Sequence, residues 1–141
     1  MPIVNYFLQR EQEATSRGLY AERSGEPAWA VATDDTGGRY YGRYFFDAYN
    51  SGTLVNVHEV VELRGSGVHR VKYSYRLVIN GDCVRGFDRD PSHRGYEVHE
   101  HKDGETIRDT PPVSFVAAID EFWRIASDHP GVRPALPARR D

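Results

Sequence analysis

The sequence predicts an α+β fold in which an antiparallel meander of about five strands is covered by a C-terminal helix. The chain has nine Tyr and six Phe, side chains that fit the half-buried surface of a sheet. Period-two alternation recurs in its middle, and an apolar stripe of helical spacing follows. At 141 residues, 39% of them hydrophobic, it has the size of one domain. We expect a single domain over residues 1–129 and a flexible proline-rich tail over 130–141.

The N-terminal part predicts a weak helix and an aromatic strand. Residues 5–20 begin with Tyr6-Phe7-Leu8 and continue with good helix formers, which indicates a helix. The turn signal Asp34-Asp35-Thr36-Gly37-Gly38 precedes a strand over residues 39–46, and Asn50-Ser51-Gly52 ends this strand.

The middle of the chain predicts its clearest strands. Residues 53–63 alternate between valines and polar side chains, with Glu59 interrupting the apolar face. Residues 68–79 alternate better still, with an apolar face of Val71, Tyr73, Tyr75, Leu77 and Ile79 and a basic face of Arg70, Lys72, Ser74 and Arg76. Asn80-Gly81 is typical of a type I′ hairpin, so residues 82–85 should pair antiparallel with the preceding strand.

The last predicted elements are a short histidine-bearing strand and a helix. After the turn at Asp90-Pro91-Ser92, a strand over residues 96–102 places His99 and His101 on one face, and Asp103-Gly104 ends it. A helix over residues 113–127 enters through two prolines, and its apolar stripe should cover the sheet.

Charge is unevenly distributed along a chain of formal net charge −3. Residues 64–102 contain eight Arg or Lys against five Asp or Glu, together with four of the six histidines. This segment is therefore the region where a polyanion would meet local positive charge. No apolar run approaches the ~20 residues that span a bilayer, and a single cysteine, Cys83, allows no internal disulfide. We expect a cytoplasmic protein without a membrane partner.

The histidine pair is the first candidate site. On a strand, His99 and His101 project from one face about 6.6 Å apart. Two imidazoles at this spacing could act as acid and base beside a scissile phosphate. With Asp88 or His93 they could equally hold zinc or another divalent metal, the one cofactor that these residues indicate. The plain alternative is a solvated edge strand.

Cations surround the histidine pair if the strands follow one another in the sheet. Arg85 precedes Asp88 by three residues, Lys72 and Arg76 lie on the neighbouring strand, and Lys102 follows the histidines. A nuclease needs such cations because negative charge accumulates on the phosphate in the transition state. A solvated Arg–Asp ion pair explains the same residues without function.

The order of these residues resembles the TumE family of toxin–antitoxin proteins over about residues 68–127. The resemblance rests on a tyrosine-rich strand, a hairpin, an Arg–aromatic–Asp segment, a His-x-His-Lys strand and a closing helix. They are Lys72-Tyr73-Ser74-Tyr75-Arg76-Leu77, Cys83-Val84-Arg85, Phe87-Asp88, His99-x-His101-Lys102 and residues 113–125. It implies the toxin half of a type II module, directed at RNA as a ribonuclease and neutralised by a cognate antitoxin protein.

Carried over to this chain, the resemblance implies a site of Arg85, Asp88, His99 and His101, with Tyr73 and Tyr75 as the strand signature. Two positions depart from the family pattern: Gly86 separates Arg85 from the aromatic residue, and Arg89 follows the aspartate where Asn is common. A bulge at Gly86 would re-aim Arg85 or Asp88.

These observations together predict a small endoribonuclease toxin. His99 and His101 are its acid and base, and Asp88 orients a histidine or Arg85. Arg85 contacts the phosphate, with Lys102 or Arg76 as a second contact. Lys72, Arg76 and Lys102 are the expected RNA-binding cations. The alternatives are a non-catalytic α+β module that binds RNA or a protein through the basic strand face, or a domain that binds a small molecule.

Overall fold

The computed structural model describes residues 2–17, 19–20, 29–33, 39–48, 53–95 and 97–128. Two helices flank eight strands in chain order. They are α1 (Pro2–Ser16), β1 (Leu19–Tyr20), β2 (Trp29–Thr33), β3 (Arg39–Ala48), β4 (Thr53–Arg64), β5 (Gly67–Ile79), β6 (Asp82–Arg89), β7 (Val98–Lys102), β8 (Glu105–Arg108) and α2 (Phe115–Asp128).

All strand pairs are antiparallel and belong to one sheet. Strands β3 to β8 follow one another as a meander, and β1 and β2 both pair with β3. The predicted antiparallel α+β fold is therefore confirmed, with more strands than expected. The additional strands β1, β2 and β8 are two to five residues long, and none of them shows a clear alternation of apolar and polar side chains.

Two tight hairpins connect the strands that carry the histidine region. Asn80 and Gly81 both have positive φ, 52° and 87°, which confirms the predicted type I′ turn between β5 and β6. Asp103 and Gly104 have the same signs, 50° and 84°, and connect β7 to β8. The Asp-Gly pair, which was expected only to end a strand, therefore forms the turn of a hairpin between β7 and β8.

The core lies between the two helices and one face of the sheet, which we call the helix face. Helix α2 packs Phe122 against Phe87 of β6, with ring centroids 5.7 Å apart, and its Phe115 meets Tyr75 of β5 edge-on. Helix α1 inserts Phe7, which is fully buried, over Gly42 of β3, where a Cβ atom would overlap the Phe7 ring. Within the described residues no helix covers the opposite face, which we call the open face.

Two register shifts decide which side chains reach the open face. In β5 the extra residue is Val71, because Val60 pairs with Lys72 and Val61 pairs with Arg70. Arg70 consequently lies on the helix face, where it donates to the Tyr75 hydroxyl at 2.8 Å. The expectation that Arg70 belongs to the basic face and Val71 to the apolar one is wrong for this reason.

The second shift lies in β6, two residues before Gly86. Leu77 pairs with Arg85 and Val78 pairs with Cys83, so Val84 is the extra residue. From Arg85 onwards alternation is regular, which places Arg85 and Phe87 on the helix face and Asp88 on the open face.

Several predicted features fall outside the described residues: the turns at 34–38 and 50–52, Tyr96 at the start of the histidine strand, and the tail over 130–141. The division into domain and tail stays a prediction. No helix in the described ranges is both long enough and apolar enough to cross a bilayer.

Candidate functional site

The open face aligns the histidine region in two neighbouring cross-strand rows. The first row runs through His58, Ser74, Asp88 and His99 on strands β4 to β7. The second runs through Arg76, Gly86, His101 and Thr106 on strands β5 to β8. The two rows lie two residues apart along each strand, and adjacent strands are about 4.8 Å apart. Side chains of both rows can therefore reach Asp88.

Atom Oδ2 of Asp88 is the centre of this cluster. It lies 2.6 Å from Nη2 of Arg76, 3.0 Å from Nε2 of His101 and 3.2 Å from Nε2 of His99. Asp88 and His99 are buried, whereas 27% of the His101 side chain and 39% of the Arg76 side chain are exposed. The carboxylate is thus shared by two imidazoles and a guanidinium that reaches solvent.

Gly86 provides the space in which Arg76 and His101 meet. The two imidazole rings stand nearly perpendicular with centroids 4.9 Å apart, and Nη2 of Arg76 lies 3.4 Å from Nε2 of His101. A Cβ atom on Gly86 would lie 3.3 Å from Cδ2 of His101 and 3.6 Å from Cγ of Arg76. A side chain at this position would therefore push His101 away from Asp88 and would contact Arg76 at an ordinary distance.

The cluster lines a cavity of about 430 Å³ on the open face. The other side chains around this cavity are charged or polar, with Thr106 3.5 Å from Nδ1 of His101. They include Lys72, Ser74, Arg89, Asp90, His93 and Thr106. The cavity therefore combines two imidazoles with the positive charge of the basic segment.

A family model described as Toxin TumE matches residues 30–129, more than half of the chain. The chain belongs to the TumE toxin family. The resemblance noted for residues 68–127 is confirmed, and the match begins earlier, so that it also includes β3 and β4. No curated protein and no solved structure matches the chain significantly.

In this TumE toxin, Asp88, His99 and His101 could also hold a metal ion, since their ligand atoms all lie within 4.8 Å of one another. One carboxylate and two imidazoles are a donor set that suits zinc. Arg76, however, already places a positive charge 2.6 Å from Asp88 Oδ2 and would have to move to admit a dication. His93 lines the cavity but lies beside Asp90, at 3.4 Å.

Arg85 and Lys102 are not brought to the histidines. Nη2 of Arg85 lies 2.8 Å from Glu100 on the helix face, and its Nε lies 3.7 Å from Glu121 of α2. Nη1 of Arg85 also donates to the backbone carbonyl of His101 at 3.4 Å. Lys102 is exposed and pairs with Arg85 in register, on the same side of the sheet. Arg85 therefore supports the position of β7 from behind the site.

A turn beside the cavity holds Asp90, the second carboxylate of the cavity lining. Hydrogen bonds from the Ser92 hydroxyl and backbone N–H, together with Lys72 at 3.2 Å, lower the pKa of Asp90 to about 2. Asp90 is therefore ionised at physiological pH and partly neutralises Lys72. On β6, burial raises the pKa of the Cys83 thiol, which disfavours a nucleophilic thiolate.

Sequence reasoning missed a buried polar cluster under α1. Glu59, 1% exposed, accepts hydrogen bonds from the hydroxyls of Tyr6 and Tyr75 and from Nε of Arg10. Burial and this carboxylate raise the pKa of Tyr75. The available signal was the single acidic residue on the apolar face of β4, which requires buried partners.

Proposed function

We propose that this toxin cleaves RNA with His99 and His101 as its acid/base pair, and that a cognate antitoxin protein neutralises it. The observation that carries the proposal is the convergence of both Nε2 atoms on Asp88 Oδ2, beside Arg76 and within a cavity of the basic segment. Imidazole is the side chain best suited to exchange protons near neutral pH.

The proposed reaction uses the ribose 2′-hydroxyl as nucleophile. The bond from O2′ to phosphorus forms while the bond from phosphorus to O5′ breaks, which leaves a 2′,3′-cyclic phosphate and a 5′-hydroxyl. One imidazole removes the 2′-hydroxyl proton, and the other gives a proton to O5′. Transfer of one proton from the first histidine to the second, directly or through solvent, then restores both protonation states.

Arg76 and Asp88 support this chemistry from two sides. The Arg76 guanidinium is partly exposed at the cavity and can offset the charge that develops on the phosphorane oxygens. Asp88 can accept from the Nε2–H groups of His99 and His101, which orients both rings. Its Oδ1 atom is buried and accepts no hydrogen bond from the described residues. In this proposal Arg76 takes the phosphate-binding role first assigned to Arg85.

The test is cleavage of a defined single-stranded RNA by the purified chain, with the product ends identified. We expect His99→Ala and His101→Ala each to lower the cleavage rate by about 100-fold or more without unfolding the protein. His69→Ala is the matched control, because His69 is an exposed histidine of β5 outside this cavity. Full cleavage by both site variants would contradict the proposal.

Two other results would change the assignment. RNA that is bound with salt-sensitive affinity but stays intact would favour a non-catalytic RNA-binding module. Loss of cleavage in EDTA, restored by a divalent ion, would assign Asp88, His99 and His101 to a metal centre.

The antitoxin partner requires its own test. We expect expression of this chain to arrest growth, and co-expression of the protein encoded beside it to restore growth. The His101→Ala chain should not arrest growth but should still bind that protein. Undiminished growth during expression of the intact wild-type chain would contradict the proposed toxicity.

A further inference from the structure

A second cavity, of about 670 Å³, adjoins the candidate site on the open face. The two cavities share Lys72, Tyr73, Ser74 and Asp90 in their linings. We call these two adjoining cavities the groove; its ends are at His101 on β7 and at Tyr41 on β3.

The far end of this groove has the chemistry of a nucleobase site. Tyr41 is 41% exposed, so its ring is accessible to a ligand on the open face. Val60 lies opposite Tyr41 in register, and the β5 bulge adds Val71 to the same lining. An exposed aromatic ring beside two aliphatic side chains can bind the face of any base by stacking.

The cations at this end are paired with carboxylates. Arg39 lies 2.9 Å from Glu62, and Lys72 lies 3.2 Å from Asp90. Their positive charge is therefore partly offset, so the attraction for phosphate is weaker here than a row of unpaired lysines would supply. Stacking on Tyr41 is the larger available contribution.

We propose that Tyr41 stacks with a base of the RNA strand whose scissile phosphate lies at His99 and His101. The position of that phosphate rests on the proposed function. Tyr41 on β3 and Asp88 on β6 are separated by three strand intervals, about 14 Å, so the base lies a few nucleotides from the cleaved bond. A base can stack on a protein ring only when it is unpaired, which makes single-stranded RNA the substrate class.

The binding test uses the wild-type protein and a 2′-O-methyl RNA of roughly eight nucleotides, long enough for the groove and lacking the proposed nucleophile. We expect Tyr41→Ala to raise Kd about 5- to 100-fold and Tyr41→Phe to leave it near the wild-type value. The slope of affinity against salt should not change in Tyr41→Ala, because no phosphate contact is lost. Trp123→Ala, on the exposed side of α2 with 39% exposure, is the matched control and should bind normally.

A second arm measures turnover and separates the base site from the catalytic site. With unmodified RNA of the same length, Tyr41→Ala should raise KM and preserve kcat, while cleavage of a dinucleotide should not change. Binding that depends on Tyr41 without any cleavage would refute the catalytic proposal and support the base site. Tight binding by a folded Tyr41→Ala protein would overturn the base site even if cleavage is real.

Two further outcomes complete the test. If Tyr41→Ala fails to fold, Tyr41→Leu keeps an apolar side chain without the ring and should show the same loss of affinity against Tyr41→Phe. If the Tyr41 variants bind RNA normally but lose the antitoxin, the groove belongs to a protein partner and the inference is overturned.

Discussion

Replacing Gly86 by alanine tests how closely Arg76 and His101 must approach Asp88. The new Cβ would lie 3.3 Å from Cδ2 and 3.4 Å from Cβ of His101, and 3.6 Å from Cγ of Arg76. These contacts require the histidine to move by a few tenths of an ångström. A displacement of about 1 Å at a catalytic group can cost roughly 100-fold in rate, so a smaller one should lower kcat about 3- to 10-fold.

The Gly86→Ala substitution should lower kcat without lowering the free energy of unfolding. Alanine in place of a strand glycine gains about 0.5–1 kcal/mol through the lower entropy of the unfolded chain, which offsets the local crowding. Urea unfolding should therefore show an unchanged or slightly higher free energy of unfolding, while the RNA-cleavage assay shows a lower kcat. Gly86→Val should lower kcat further.

Gly67→Ala is the matched control for the backbone effect. Gly67 begins β5, and a Cβ there would meet its nearest atom, Nε2 of His69, at an ordinary 3.6 Å. We expect the same gain in stability and no change in kcat. A wild-type kcat in Gly86→Ala would refute the spacing argument, and an equal fall in both variants would assign the effect to the backbone.

Three further variants test the parts of the fold that support the site. Glu59→Ala should lower the free energy of unfolding by about 3–5 kcal/mol, because two tyrosine hydroxyls lose their buried acceptor, while Arg10 keeps Glu13 as its carboxylate partner. Urea unfolding should show a smaller loss for Glu59→Gln. Asp90→Asn should be less stable than wild type at neutral pH, because the depressed pKa of Asp90 contributes stability above its unfolded value near 4. This contribution is lost as the pH falls towards about 2. The melting temperatures of variant and wild type should therefore converge near that pH. Arg85→Ala should lower the free energy of unfolding by about 3–5 kcal/mol, because it leaves Glu100 largely buried and unpaired. The salt dependence of RNA binding should not change, since Arg85 lies on the helix face. A smaller slope of affinity against salt would contradict that placement.

Much of the fold was accessible from local patterns. The alternation in residues 53–63 and 68–79, the Asn80-Gly81 turn and the helical stripe of α2 each depend on neighbours in sequence, and the structure confirms them within a few residues. The short strands β1, β2 and β8 carry too few residues for a pattern. Their pairing depends on the strand already present beside them.

The candidate site was predictable only in part. Arg85 and Asp88 are three residues apart, a spacing that puts them on opposite faces of any regular strand, so they could not both have faced the histidines. The spacing alone does not say which of them joins the histidines. Arg76, predicted as an RNA-binding cation and possible phosphate contact, is the ion-pair partner of Asp88.

The sequence by itself determined that His99 and His101 share a face, because side chains two apart on a regular strand do, and that a basic segment surrounds them. Only the tertiary structure decided that Asp88 rather than Arg85 meets them. The extra residue Val84 changes the register of β6 so that Phe87 is buried against α2, and Asp88 is thereby turned to the open face. That choice depends on packing between elements distant in sequence, which no local pattern contains.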